Sequence, residues 1–206
     1  MGFNKVNFWD MCAIRHSDPE LREDILAGYM TKGFHPYQAL TYWPDDMESI
    51  LDFGTGLGRN IPYLLKRCSG RLFVLDRPAM LVRFKQEQHR LGTDMSRIIV
   101  CDDAYGTGWS VDLVYMSLVL QHLEDPASVW MHLPRHKYLV VRGRSRHDNG
   151  GSTWATIPRG DYRIIEVMEE ALPPNRWTGS TEDMFEELRA MDNERHFEVL
   201  LERRTP

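Results

Sequence analysis

A doubly wound α/β fold built on a mostly parallel sheet is the architecture this sequence predicts, and three observations predict it. First, short apolar runs alternate with helical segments from residue 48 onward: SILDFG, IPYLLKRC, RLFVLD, RPAMLVRFKQEQHRLG, RIIVCDD, VDLVYMS and KYLVVRGR. Strands separated by helices pair in parallel, with the helices laid on both faces. Second, the strand runs are continuously apolar rather than alternating, which suits strands covered on both sides. Third, the distinctive polar residues fall where strands end. Gly54, Gly56 and Gly58 follow the first strand, Asp76 the second, Asp102 and Asp103 the third, and Ser117 the fourth. Ligands of open parallel sheets bind at those ends.

The flanking segments read differently. HSDPELREDILAGYMTKG has a capping residue at Ser17 or Asp18, Pro19 in the first turn, and Gly28 or Gly33 to end a helix. FHPYQALTYWPDD carries two prolines and four aromatics and reads as a loop or short helix. After the fifth strand, GRSRHDNGGSTWATIPRGD reads as a long loop, and DYRIIEVMEEALPP as helix or strand. TEDMFEELRAMDN is an amphipathic helix capped by Thr181, and HFEVLLERR a closing strand.

With 206 residues, one domain spanning 1–206 is expected. A net charge of −5 and a pI of 5.9 argue against nonspecific nucleic-acid binding. Cys12, Cys68 and Cys101 are far apart and form neither a disulfide framework nor a metal motif. No signal peptide and no membrane-length apolar run is visible, so a cytoplasmic protein is expected.

The glycine turn admits several ligands. A dinucleotide turn, G-x-G-x-x-G, would place its third glycine where Arg59 stands, and a triphosphate loop, GxxxxGK[ST], is absent. Asp76 lies 22 residues beyond Gly54 and ends a strand, where an acid binds a ribose diol. The G-x-G-x-G form with Asp52 before it fits a ligand without pyrophosphate.

The pieces LDFGTGLGRN, LDRPAM, IVCDDA and DLVYMSLVLQHLEDP, in this order, resemble the class I S-adenosylmethionine-dependent methyltransferases. The resemblance covers residues 48–143 and implies a Rossmann-like, seven-stranded methyltransferase fold. It makes residues 1–47 an N-terminal helical lid, 48–143 the cofactor-binding core, and 144–206 the substrate-side loop, helix and closing strand. It implies S-adenosylmethionine as cofactor. Asp52 and the turn Gly54, Thr55, Gly56 and Gly58 would hold its methionine end. Asp76, with Arg77 beside it, would take the ribose hydroxyls, and Met80 would pack on adenine. Asp103 or its neighbour Asp102, with the Ala104 backbone, would read the adenine amine, and Ser117 to Leu118 would pass near the methyl donor. The ligand's ribose diol, exocyclic amine and ammonium are all hydrogen-bond donors, which acids match. Its sulfonium needs no metal, so catalysis is mainly alignment.

His122, in LVLQHLEDP at the start of the helix after the fourth strand, is the candidate proton acceptor, with Gln121 orienting. Tyr37 and Tyr42, with Trp43, are candidates to wall the substrate site or the adenosine site. Arg135, Arg142, Arg144 and Arg146 form a basic cluster about the fifth strand, and Arg144 just past its end could bind an anionic group on the acceptor. Trp154 is a candidate for a substrate lid. The fourth strand ends in YMSL, not the [DNS]PP[YFW] of amino-methylating DNA enzymes, and no cysteine follows a proline. A small-molecule acceptor taking the methyl on oxygen or nitrogen is therefore expected, with no metal, nucleic-acid or membrane partner. Oligomeric state stays open, as do a nontransferring cofactor-binding protein and a nucleotide-dependent oxidoreductase. Family members close the sheet with an antiparallel pair. HFEVLLERR supplies one strand, and RIIEV either supplies the other or leaves it missing.

Overall fold

The computed structural model describes residues 42–101, 109–120, 123, 125–144, 153–169 and 196–204. It contains a seven-stranded sheet in the order β3-β2-β1-β4-β5-β7-β6. The strands are β1 Met47–Phe53, β2 Cys68–Leu75, β3 Ile98–Cys101, β4 Ser110–Ser117, β5 Arg135–Arg144, β6 Tyr162–Glu169 and β7 His196–Arg203. The first five run parallel, and β7 lies antiparallel between β5 and β6. RIIEV is therefore a strand, which settles both readings left open at the C-terminal end. The helices described are α1 Ile61–Arg67, α2 Pro78–Arg90 and α3 Pro126–His132. The last begins at Pro126, and residues 121, 122 and 124 of LVLQHLED, where a helix start was expected, lie outside the described residues. The helices read at 17–33 and after Thr181 lie outside the described residues.

The continuous apolar runs bury both faces. Leu51, Val114, Met116, Leu139, Val141, Val199 and Leu201 pack on one side with Val129 of α3. Ile50, Leu72, Val74, Leu113, Val140 and Leu200 pack on the other with Ile61 and Leu64 of α1 and Phe84 of α2. Helices on both faces make the sheet doubly wound. Pro62 and Pro78 sit in first turns, where a missing N–H costs nothing, and Gly92 ends the α2 segment at a φ of 67°. Chain order reverses between β1 and β4, which opens a crevice outside their carboxyl ends.

At the opposite end of the sheet His136 is buried. Its Nδ1–H donates to the Pro134 carbonyl at 2.7 Å, so Nε2 accepts from the Tyr162 hydroxyl at 2.7 Å. Burial holds this imidazole down at about 4. The unfolded chain takes the proton below about 6.5 while the folded protein refuses it. Stability is therefore full above 6.5 and falls between 6.5 and 4, by on the order of 2 kcal/mol. Urea unfolding at pH 8 and pH 5 should show that loss, and His136→Gln should flatten it. An unchanged slope in the variant would assign the acid loss to other groups.

Candidate functional site

β1 carries Asp52 to the crevice. The side chain is 0 % exposed. Oδ2 accepts from the Thr55 hydroxyl at 2.8 Å, while Oδ1 is buried with no hydrogen-bond partner. Burial, with a smaller push from the Asp76 charge, raises this carboxyl to about 7 against the opposing Thr55 bond, the Arg59 charge and a weaker contribution from the Asn60 side chain. A buried carboxyl with one open oxygen is a strong acceptor for a cationic donor.

The chain then turns across β2. The N–H groups of Gly54 and Thr55 both donate to the Leu75 carbonyl, at 2.8 and 3.1 Å. Gly54, Gly56 and Gly58 have φ of 74°, 56° and 88°, in the left-handed region. A Cβ on Gly54 would meet Val119 Cγ2 at 2.3 Å, and one on Gly58 would meet Phe84 Cε2 at 2.6 Å. A Cβ on Gly56 would meet nothing within 4 Å. The outer glycines thus permit packing, and the middle one borders open space.

Asp76 braces the turn. Oδ2 accepts from the Gly56 N–H at 2.8 Å and Oδ1 from the Arg77 N–H at 2.7 Å. Burial lifts its carboxyl above the ordinary range against these two bonds. Two carboxylate oxygens carry about four acceptor positions, so two remain for further donors. Beneath the turn, Gln88 of α2 donates from Nε2 to the Leu57 carbonyl at 2.7 Å and accepts from the Thr93 hydroxyl at 2.8 Å. Met80 packs on Leu57.

On the other side of the crevice β4 ends at Ser117, whose buried Oγ has no hydrogen-bond partner. Leu118 follows at a φ of 59°, and its N–H donates to the Arg142 carbonyl at 2.8 Å. A left-handed leucine is uncommon, and such residues cluster at functional sites.

The structure therefore gathers Asp52, Gly54, Thr55, Gly56, Gly58, Asp76, Arg77, Met80 and Ser117 about the ends of β1, β2 and β4. Asp102, Asp103, Ala104, Gln121, His122 and Tyr37 lie outside the described residues. Tyr42 is 48 % exposed and donates its N–H to Glu166 Oε2 at 2.9 Å, on the edge strand β6 and away from the glycine turn. Trp154 stands in a 3-10 turn, Trp154–Thr156. The basic cluster around the fifth strand divides: Arg135 is exposed at the amino end of β5, and Arg142 is buried near its carboxyl end. Arg144 is the last residue of β5 rather than a residue beyond it, because β5 keeps pairing with β7 as far as His196. Gln88 and Glu198 carry no motif, and only their burial marks them.

Residues 51–136 match a family described as a methyltransferase domain. No curated protein matches the chain. Among solved structures, a SAM-dependent methyltransferase from Aquifex aeolicus superposes with a TM-score of 0.54 at 16% identity, covering 97% of this chain and 98% of that one. The N-methyltransferase NodS from Bradyrhizobium japonicum WM9, solved with S-adenosyl-L-homocysteine, gives 0.54 at 17% identity over 93% and 91%. The mitomycin 7-O-methyltransferase MmcR gives 0.59 at 15% identity over 93% and 60%.

Proposed function

We propose that this chain, a class I S-adenosylmethionine-dependent methyltransferase by its sheet and by the methyltransferase domain over residues 51–136, moves a methyl group to an oxygen or nitrogen of a small-molecule acceptor. One arrangement carries the reading: Asp52, with an open buried oxygen, stands beside the Gly56 turn and the Asp76 carboxylate. These residues fit S-adenosylmethionine. An acceptor atom without a partner meets the ammonium, spare lone pairs on Asp76 meet the ribose diol, and Gly56 leaves room for close approach. When bound, the cofactor supplies an electrophilic methyl on sulfonium sulfur.

The chain's own part is to hold and align. Asp52 binds the amino group while Thr55 keeps the carboxyl from turning. Asp76 binds the ribose while fixing the turn through the Gly56 N–H. Ser117 and the strained Leu118 close the crevice on the β4 side, and His122 takes the acceptor's proton. Among the described residues no helix is long and apolar enough to cross a membrane.

Isothermal titration with S-adenosylmethionine, S-adenosylhomocysteine and NADH tests the cofactor. Binding of both sulfur compounds and not NADH is expected, and the absence of heat with either sulfur compound would sink the reading. A tritium-transfer screen over metabolites, tRNA and protein tests the acceptor class. Asp76→Ala should weaken S-adenosylhomocysteine binding by about 2 kcal/mol, since charge-assisted bonds are lost. Asp76→Asn should lose less, because its amide oxygen can still accept from Gly56. Equal losses in the two variants would remove the turn-bracing role.

A further inference from the structure

At the amino ends of the parallel strands, opposite the crevice, charge divides by strand. β1 begins beside Asp45, Asp46 and Glu48, all exposed. β4 adds Asp112, whose Oδ2 accepts from the Glu48 and Ser49 N–H groups. On the next two strands the sign changes. β5 begins with the exposed Arg135 and Lys137, and antiparallel β7 ends beside them with the exposed Arg203 and Arg204. In the strand order β1-β4-β5-β7, two acidic strand ends therefore lie beside two basic ones. α3 ends at His132, just before β5, and its Met131 is 78 % exposed, the most exposed large apolar side chain among the described residues.

A single chain leaves these charges unmatched. Among the described residues Arg90 pairs with Glu87 and Arg163 with Glu202, but none of the seven exposed charges forms an ion pair. Lys137 rests only on the Tyr138 ring, 4.8 Å from its centroid. Like charges on neighbouring strands repel one another. The arrangement is, however, complementary to itself. A twofold axis between β4 and β5 would carry β1 onto β7 and β4 onto β5, so that each acidic end meets a basic one. The same operation turns the exposed Arg71 on β2 toward the exposed Asp161 before β6. Met131, on the helix that joins β4 to β5, lies beside that axis. A polyanion would match only the basic half, and the acidic half and the net charge of −5 would repel it.

We propose that this end of the sheet docks a second copy of the chain, with Asp45 and Glu48 of each copy facing Arg203 and Arg204 of the other and the two Met131 side chains near the centre. Four strands at about 4.8 Å, with a helical layer on each face, give an end face of roughly 20 by 20 Å. Two copies then bury about 800 Å² in total, the size of a weak, transient interface rather than a permanent one. Charge supplies most of its specificity, so the dimer is sensitive to salt. The crevice lies at the far end of the sheet, and each copy keeps its own site. The proposal is independent of which acceptor the chain methylates.

Sedimentation velocity on the full chain tests it, at about 10 to 300 μM protein in about 50 mM and 500 mM sodium chloride. A dimer is expected at low salt, with its dissociation constant raised about tenfold or more at high salt. Two charge-reversed variants follow, one carrying Asp45→Lys and Glu48→Lys, the other Arg203→Glu and Arg204→Glu. Asp46 is left in place because its φ of 58° disfavours a longer side chain. Each variant alone should be monomeric, since like charges then face each other at both contacts. An equimolar mixture should dimerise within about threefold of the parent affinity, because both contacts regain opposite signs. A parent that stays monomeric at low salt, a parent dimer indifferent to salt, parent-like dimers of either variant alone, or a mixture that stays monomeric overturns the proposal. Binding of a single-stranded oligonucleotide to a monomeric parent, lost in Arg203→Glu with Arg204→Glu, overturns it as well and gives the basic half to a polyanion. The salt series on the parent tests the interface without any substitution.

Discussion

Asp52→Asn is expected to bind S-adenosylhomocysteine roughly ten- to hundredfold more weakly than the parent chain, and to lose most of the pH dependence of that binding. The substitution keeps an oxygen for the Thr55 hydroxyl, so the local fold survives. What goes is the charge opposite the ligand's ammonium. Hydrogen bonds to charged groups contribute about 1.5–3 kcal/mol, and each 1.4 kcal/mol is about tenfold in affinity. The pH effect follows from burial. With the free-protein carboxyl at about 7, the binding form is the minor one below that pH. Affinity in the parent chain should therefore fall as pH drops through 7, by up to about tenfold per unit. Titration calorimetry between pH 6 and pH 8 measures both effects. A parent-like affinity in Asp52→Asn would remove Asp52 from the site.

Gly58→Ala and Gly56→Ala should fail in opposite ways. At Gly58 a Cβ would lie 2.5 Å from Gln88 Nε2, 2.6 Å from Phe84 Cε2 and 3.0 Å from Ile61 Cγ1. Phe84 and Ile61 are fully buried and cannot step aside, and Gln88 is held by Leu57 and Thr93. Overpacking costs about 1–3 kcal/mol, and a left-handed φ on a residue with a Cβ adds about 1–2. A stability loss of about 3 kcal/mol is expected, lowering Tm by roughly 6–12 °C. At Gly56 only the backbone strain applies, about 1 kcal/mol. That variant should fold nearly normally yet lose at least tenfold in S-adenosylhomocysteine affinity, because the new methyl enters the space the ligand needs. Thermal melts and titrations on the two variants separate these effects. Parent-like binding by Gly56→Ala would mean that the open side of the turn does not face the ligand.

The fold was largely legible because its signals are local. Continuous apolar runs such as SILDF and LFVL can be buried only between two layers, and the glycines and prolines mark where each element begins and stops. The C-terminal end was less legible. RIIEV has no clean period, and its strand state depends on β7, which sits between it and the rest of the sheet. Within the site, the glycine turn and Asp76 could be read from spacing, since strand and turn fix how far apart they lie. Arg142 could not be placed that way. Its neighbours Leu139, Val140, Val141 and Gly143 are all buried, so no alternation marks the face on which Arg142 falls, and only the pairing with β4 and β7 decides that.

By itself the sequence determined the parallel core, the ligand end of the sheet and a left-handed turn that glycine favours, because each follows from the preferences of adjacent residues. Tertiary structure alone decided that Thr55 restrains Asp52, that Asp76 braces Gly56, and that Glu198 meets Arg142 across 56 positions of chain. Those contacts depend on strand register and burial, and both are set by the packing of the whole sheet.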